Sequence, residues 1–247
     1  MRRARRPLVR WAAAAGAVPL LLLLAALWAT PRWHPSDRRF PLQGIDVSHH
    51  QGQIAWPRLR AQGVDFAYIK ASEGGDHRDR RLAENWRKAK KAGIPHGAYH
   101  FFTLCKPGAE QARNFIAAVP LDRDALPPAV DLEYMGNCSR GMSPAALHAE
   151  LGAYLALVEG HYGRPALLYL TGEFDEAYGV SDRFDRPLWL RSLLREPSFG
   201  ARPWKVWQVS SFRRVNGIEG RVDWNVVRGP LLEGLSAPAI PAKAARR

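Results

Sequence analysis

Cysteine is scarce in this sequence, and motifs that identify several common protein classes are missing. The 247 residues include two cysteines, Cys105 and Cys138, and neither has a second cysteine or a histidine at the spacing of a metal site. The sequence has no glycine-rich phosphate-binding loop. It also has no internal repeat with a period of roughly 20–50 residues. These absences argue against a cysteine metal centre, a phosphate-bearing ligand, and a solenoid or propeller.

The excess positive charge lies mostly outside the middle of the chain. The net charge is +13, of which residues 1–39 contribute +7 (eight arginines, one acid) and residues 231–247 contribute +2 (three basic residues, one acid). Residues 40–230 therefore carry only +4, from 13 − 7 − 2. A nucleic-acid-binding domain keeps its positive charge on the folded part. We therefore expect no nucleic-acid partner.

Residues 1–30 have the pattern of an export signal. Five arginines within residues 2–10 precede an uncharged run at 11–30, which as a helix would span about 30 Å, one bilayer core. The arginines should stay in the cytoplasm, so the rest of the chain is exported. The run is longer than the ~7–15 residues of a cleaved signal, and bulky Leu27 occupies the −3 position. This favours a signal anchor in the inner membrane, facing the periplasm or cell wall, over a cleaved signal peptide and secretion.

Export changes the expectation for the two cysteines. In an oxidising compartment a pair of cysteines usually forms a disulfide, which predicts a Cys105–Cys138 bond. Residues 31–39 are polar with two prolines and predict a short tether. The basic, Ala- and Pro-rich residues 231–247 predict a disordered tail, which leaves 40–230 as the folded domain.

Within residues 40–230, β-branched or aromatic runs alternate with helical patterns. The predicted strands are 44–48, 64–72, 96–102, 129–133, 166–171, 188–191, 205–210 and one around 222–223. The predicted helices are 56–62, 80–92, 109–119 and 144–162, the last preceded by Ser143 as an N-cap. The alternation predicts a parallel sheet with crossover helices, and eight strands predict a closed, TIM-like α/β barrel. Helical patterns become fewer after Thr171.

Acidic residues follow several predicted strands. The active site of a β/α barrel lies at the carboxyl ends of its strands. There this sequence has five acids: Asp46, Glu73, Asp131, Glu133 and Asp223. Asp131 and Glu133 are two apart on one strand, so they face the same side with Cα atoms about 6.5 Å apart. Two carboxylates that close do not both ionise easily, and a protonated acid beside an ionised one is what cleavage of a glycosidic bond requires.

Aromatic and histidine side chains lie near the same strand ends. Four aromatic residues are placed to stack on sugar rings: Tyr99, Tyr169, Trp189 and Trp207. His49 and His50 follow the first strand, and adjacent residues of an extended segment point to opposite sides, so at most one of them shares a site with Asp46. A metal-dependent hydrolase or deacetylase that uses Asp46 and one histidine is therefore an alternative to a metal-free glycosidase.

Six short motifs occur in order along the domain: GIDVSHHQG at 44–52, YIKASEG at 68–74, GAYHFF at 97–102, VDLE at 130–133, WQ at 207–208 and GRVDWN at 220–225. Together they resemble glycoside hydrolase family 25, the lysozymes or N-acetylmuramidases that cut peptidoglycan between N-acetylmuramic acid and N-acetylglucosamine. The resemblance implies an irregular (β/α)5(β)3 barrel, five β/α units followed by three strands without full helices. It also implies a monomeric enzyme without metal or cofactor, whose partner is the peptidoglycan glycan strand.

The resemblance implies roles for single residues. Glu133 matches the general acid, and Asp131 matches the partner that assists the substrate acetamido group in a retaining reaction. Asp46 and Asp223 match further acids of the cleft. The residues predicted to bind substrate are Tyr99, Tyr169, Glu73, Trp189, Trp207 and His50. The chain departs from the family at Arg191 and Ser192, where many members have a small alanine after the tryptophan and its apolar neighbour.

Two other functions remain open from the sequence. A non-catalytic barrel that binds cell-wall glycans would have no need of the paired acids. A chitinase-like N-acetylglucosaminidase would have two further acids upstream of Asp131, where this sequence has Leu126 and Ala129.

Overall fold

The computed structural model describes residue 19 and residues 29–139 and 141–229. The predictions of a signal anchor and of a basic tail concern residues 1–30 and 231–247, which, except for residues 19, 29 and 30, lie outside the described residues. Within the described part, no helix has the length and apolar character needed to cross a bilayer.

The described chain alternates strands and helices. The strands are β1 Gln43–Val47, β2 Phe66–Glu73, β3 His77–Arg78, β4 His96–Phe101, β5 Ala129–Leu132, β6 Leu167–Thr171, β7 Leu188–Arg191, β8 Val206–Arg213 and β9 Val222–Val227. The helices are α1 Trp56–Arg60, α2 Leu82–Lys91, α3 Gly108–Ala118, α4 Pro144–Tyr162, α5 Gly172–Tyr178 and α6 Val180–Arg183. The eight predicted strands and four predicted helices are all present, whereas β3, α5 and α6 were not predicted.

Eight of the strands close into a barrel. Their order is β1, β2, β4, β5, β6, β7, β8, β9 and back to β1, and β3 forms a hairpin at the end of β2. Helices follow β1, β2, β4, β5 and β6, whereas the described residues between β7 and β8 and between β8 and β9 form no helix. The predicted arrangement of five β/α units followed by three strands is confirmed.

The direction of β9 differs from the predicted parallel sheet. Apart from β3, which is antiparallel to β2, the strands from β1 to β8 pair in parallel, but β9 is antiparallel to both β8 and β1. Only residues 214–221 separate β8 from β9. A parallel connection needs about a dozen residues or more, so this short segment can only reverse the chain.

The barrel separates two apolar layers. Side chains inside the barrel include Phe66, Tyr68 and Trp189, while a larger cluster fills the space between strands and helices. Gly97 on β4 makes room for this interior, because a Cβ there would lie 2.8 Å from Cε1 of Tyr68 and 3.0 Å from Cβ of Leu126. The interior below the barrel mouth is therefore closely packed.

The segment predicted as a tether packs against the barrel instead of standing free. Trp33 contacts the outer apolar cluster, and the rings of His34 and Trp224 have centroids 6.3 Å apart. Gln43 Nε2 donates to Asp37 Oδ1 at 2.6 Å. These contacts lie beside β8 and β9, where covering helices are missing, so residues before β1 partly replace them.

Candidate active site

A cavity of about 260 Å³ opens at the carboxyl ends of the parallel strands. Its walls carry four carboxyl groups, three large aromatic rings and one guanidinium. The lining residues are Asp46, Tyr99, Asp131, Glu133, Met135, Tyr169, Trp189, Arg191, Gln208, Ser211 and Asp223. The fold therefore brings together all four predicted catalytic acids and three of the predicted substrate-binding residues.

Asp223 reaches this cavity by an unexpected route. It is the second residue of β9, at the amino end of the strand. Because β9 is antiparallel, its amino end meets the carboxyl ends of its neighbours, and Asp223 pairs in register with Asp46 on β1. The rule for carboxyl ends therefore selected an acid that lines the cavity, although its strand runs in the opposite direction.

Trp207 does not line the cavity, which corrects its predicted place in the sugar cleft. Side chains alternate along β8, so Val206 lies in the barrel interior and Gln208 lines the cavity, whereas Trp207 faces outward. Its ring lies 5.8 Å from that of Phe40, and its Nε1 donates to the carbonyl oxygen of Ser192 at 2.7 Å. Trp207 belongs to the outer apolar layer.

Glu73 and His50 also lie outside the cavity lining. Glu73 Oε2 accepts a hydrogen bond from Lys70 Nζ at 2.7 Å. His50 is exposed, and the centroid of its ring lies 4.0 Å from that of His49, whose Nδ1 lies 2.9 Å from Asp79 Oδ2. Among the described residues, no group of three or more His, Cys, Asp and Glu side chains is placed to hold a metal ion.

Asp46 is the acceptor at the centre of a buried hydrogen-bond network. Its Oδ1 accepts from Asn225 Nδ2 at 2.6 Å and from Gln208 Nε2 at 3.0 Å. Both amides are themselves oriented: Trp189 Nε1 donates to Asn225 Oδ1 at 2.8 Å, and the Tyr169 hydroxyl donates to Gln208 Oε1 at 3.0 Å. The aromatic floor of the cavity thus fixes the amides, and the amides fix Asp46.

Asp223 completes this network as the protonated member of an acid pair. Burial raises the pKa of Asp223 well above its usual range, and the charge of Asp46 and a hydrogen bond between the two carboxyl groups raise it further. Burial also raises the pKa of Asp46, but the donors Asn225, Gln208 and Asp223 oppose that rise. Since three donors converge on Asp46, Asp46 is the carboxylate and Asp223 keeps the proton.

Asp131 and Glu133 form the second acid pair. Burial raises the pKa of both, and the negative charge of Glu133 adds to the rise at Asp131. Within the described part of the chain, Oδ1 of Asp131 is buried without a hydrogen-bond partner. The pair therefore holds a proton to higher pH than separate, exposed carboxyl groups would, and it offers an unused acceptor to a ligand.

The loop behind Glu133 is held at two points. Cys105 and Cys138 form the predicted disulfide, with Cα atoms 6.0 Å apart. Asn137 Nδ2 donates to the carbonyl oxygens of Glu133 and Phe102, each at 2.9 Å, and Asn137 Oδ1 accepts from Leu104 N at 2.8 Å. The chain that follows β5 is thus attached to the chain that follows β4, directly behind the candidate acid.

Several residues of the site were not assigned to it from the sequence: Gln208, Arg191, Met135 and Ser211 line the cavity, and Asn225 donates to Asp46. Two of them carried a usable signal: Gln208 is two residues after interior Val206, and Asn225 is two residues after Asp223, so strand alternation places both on the cavity side.

Comparison with known proteins identifies the family. The sequence profile of Glycosyl hydrolases family 25 matches residues 45–218. The chain belongs to this family. Family 25 membership makes the protein a glycoside hydrolase and confirms the predicted resemblance to this family.

Individual relatives agree over most of the domain. A family 25 glycosyl hydrolase from Bacillus anthracis has 36% identity and a TM-score of 0.76, covering 81% of this chain and 94% of that one. A bacterial lysozyme from Streptomyces coelicolor has 31% identity and a TM-score of 0.68, covering 78% of this chain and 94% of that one. Lysozyme M1 of Streptomyces globisporus is 33% identical over 203 residues, 76% of this chain and 68% of that protein.

Proposed function

We propose that this family 25 enzyme is a lysozyme, an N-acetylmuramidase that hydrolyses the β-1,4 bond between N-acetylmuramic acid and N-acetylglucosamine in peptidoglycan. The observation that carries the proposal is the half-buried Asp131–Glu133 pair in a cavity with two further acids. Similarity to Lysozyme M1 and to the Streptomyces coelicolor lysozyme supports the substrate.

Glu133 is the proposed general acid. It lies at the cavity wall, and burial raises the pKa of its carboxyl group against the opposing charge of Arg191. A carboxyl group that stays protonated near neutral pH can donate its proton to the glycosidic oxygen as the C1–O bond breaks. After that transfer Glu133 is a carboxylate and can act as a base.

Asp131 is the proposed partner in a retaining reaction. Its free Oδ1 can accept the N–H of the substrate acetamido group, which stabilises the Asp131 carboxylate and leaves the shared proton on Glu133. The acetamido oxygen then attacks C1 while the leaving oxygen takes the Glu133 proton. A water molecule attacks C1 next and gives a proton to Glu133, and the two displacements together retain the anomeric configuration.

The remaining cavity residues have proposed supporting roles. Asp46 and Asp223, whose carboxyl groups share a proton, bind water or polar groups of the substrate near the sugar ring. Tyr99 is half-buried at the wall and is placed to contact a sugar ring, whereas Tyr169 and Trp189 are almost fully buried and hold the amides of the floor.

The proposed place of action is outside the cytoplasm, where peptidoglycan lies, and the pattern at residues 1–30 supports export. We propose retention as a signal anchor on the length of the uncharged run. Cell fractionation tests this: an anchored protein stays with membranes washed at high pH, and a cleaved one appears as a shorter soluble species.

The assignment of the acid is tested by Glu133→Gln. The amide cannot protonate the leaving oxygen, so release of reducing ends from purified peptidoglycan should fall by about 100-fold or more. Asp182→Asn, which removes an exposed carboxylate on α6, is the matched control and should behave as the unaltered enzyme. Substantial activity in Glu133→Gln, with the fold intact by circular dichroism, contradicts the assignment.

A further inference from the structure

Arg191 is the only cationic side chain among the described residues that line the active-site cavity. It is the last residue of β7, two positions after Trp189, so both side chains lie on the cavity side of the strand. In the sheet register it stands beside Thr171 on β6 and Gln208 on β8.

The guanidinium of Arg191 has unused donors. Within the described part of the chain, no ion pair within 4.0 Å and no hydrogen bond engages its side chain. Two other half-buried arginines have ion-pair partners: Arg186 Nε lies 2.6 Å from Glu159 Oε1, and Arg202 Nε lies 3.0 Å from Asp185 Oδ1. Arg191 thus faces the cavity with its donors free.

The positive charge of Arg191 affects the pKa of the neighbouring acids, although Arg191 forms no ion pair with them. Burial raises the pKa of Asp46, Glu133 and Asp223, and the positive charge of Arg191 opposes that rise at each of them. Asp46 is already occupied by amide donors. The guanidinium is therefore close enough to act on the groups that perform the chemistry, and it remains available to a ligand.

A substrate carboxylate is the group that matches these donors. The planar guanidinium binds carboxylates with two parallel hydrogen bonds, and such charge-assisted bonds are among the strongest in proteins. N-acetylmuramic acid carries a lactyl carboxylate where the stem peptide is absent, and the stem peptide carries carboxylates of its own. N-acetylglucosamine carries none, so contact with a carboxylate would distinguish the two sugars.

We propose that Arg191 binds a carboxylate of the peptidoglycan substrate and so favours N-acetylmuramic acid next to Glu133. The proposal rests on the proposed muramidase function and extends it to substrate selection. A purely electrostatic role, in which Arg191 only offsets the acids, would change kcat and the pH profile on every substrate. A binding role changes KM, and only where the substrate carboxylate is present.

The test compares Arg191→Gln and Arg191→Lys with the unaltered enzyme on three soluble substrates. These are uncrosslinked peptidoglycan strands, the same strands freed of stem peptides by an amidase, and peptide-free strands whose lactyl carboxylates are converted to methylamides. Arg195→Gln is the control, because it removes an exposed positive charge from the loop that follows β7 and does not line the cavity. Thermal unfolding verifies that each variant is folded.

On peptide-free strands we expect Arg191→Gln to raise KM by about tenfold or more, the loss of one charge-assisted interaction. On methylamide strands the KM of Arg191→Gln divided by the KM of the unaltered enzyme should fall to near one. On peptide-free strands Arg191→Lys should recover part of the loss. An effect seen only with stem peptides attached assigns the carboxylate to the peptide. An equal ratio on all three substrates, or a loss in kcat alone, overturns the proposal. Failure of the unaltered enzyme to cut any strand would instead contradict the muramidase function.

Discussion

Asp46 on β1 and Asp223 on β9 face each other in antiparallel register, and a hydrogen bond joins their carboxyl groups. The pair exists because β9 is the one strand of the barrel that runs against its neighbours. The proton between them lets two acids lie together in a buried place without two full charges.

Asp46→Asn and Asp223→Asn should therefore differ in effect. Asn at 223 still offers a donor to Asp46, whereas Asn at 46 replaces the acceptor of three donors with an amide. Hydrogen bonds to a charged group contribute about 1.5–3 kcal/mol, so we expect Asp46→Asn to lower kcat/KM by about 10- to 100-fold. Asp223→Asn should lose less. Steady-state kinetics on soluble peptidoglycan check this, and the reverse order would show that the proton resides on Asp46.

Asp131→Asn should stabilise the protein at neutral pH. The pKa of Asp131 is raised in the folded state, so the folded protein binds more protons than the unfolded chain above the unfolded pKa, about 3.9. The contribution of Asp131 to the free energy of unfolding therefore falls as pH rises above that value. Asp131→Asn has no carboxyl group at this position, so the variant does not lose this stability. We expect Tm to rise by about 2–4 °C per kcal/mol regained at pH 7 and much less at pH 4.

The control for that experiment is Asp182→Asn, whose carboxylate is exposed on α6. Its Tm difference from the unaltered enzyme should not grow with pH. A Tm gain for Asp131→Asn that is as large at pH 4 as at pH 7 would argue against a raised pKa and for simple relief of poor packing.

Loss of the disulfide should cost stability more than activity. Cys105 and Cys138 are 33 residues apart, and closing a loop of that length stabilises a fold by about 3–4 kcal/mol on the chain-entropy account. Replacing both with serine should lower Tm by about 6–16 °C. Asn137 still joins the two loops behind Glu133, so kcat at 25 °C should stay within about threefold. A large loss of kcat with an unchanged Tm would contradict this division of roles.

Gly97→Ala should destabilise the barrel from inside. The added methyl group would lie 2.8 Å from Cε1 of Tyr68 and 3.0 Å from Cβ of Leu126, and overpacking of this kind costs about 1–3 kcal/mol. Gly160→Ala is the matched control, since Gly160 is exposed on α4 and nothing lies within 4 Å of its Cβ position. It should be neutral or slightly stabilising. Urea unfolding of both variants measures the difference.

Most of the fold was predictable from local patterns in the sequence. Helix α4 was predicted with its observed bounds, 144–162, because Ser143 and Pro144 mark its start, and Ser143 Oγ indeed accepts from Ala146 N at 3.2 Å. The short helices α5 and α6 have seven and four residues, too few for a helical period to show against background.

The site was predictable where it depended on strand alternation and charge. Asp131 and Glu133 are two apart and share a face, whereas Trp207 was assigned to the cleft without asking which face its strand turns inward. Gln208 and Asn225 were missed because an uncharged amide is not recognisable from the sequence as a site residue. Their role becomes visible only when the structure shows that both donate hydrogen bonds to the buried Asp46. Tertiary contacts, not residue type, define those two.

We propose that this enzyme cuts on the reducing side of N-acetylmuramic acid. Mass spectrometry of soluble fragments released from purified peptidoglycan by residues 40–247, after borohydride reduction, tests it most directly. We expect fragments that end in reduced N-acetylmuramic acid and none from the Glu133→Gln variant. Fragments that end in reduced N-acetylglucosamine would contradict the bond assignment, and binding of the protein to the polymer without any release would contradict the catalytic one.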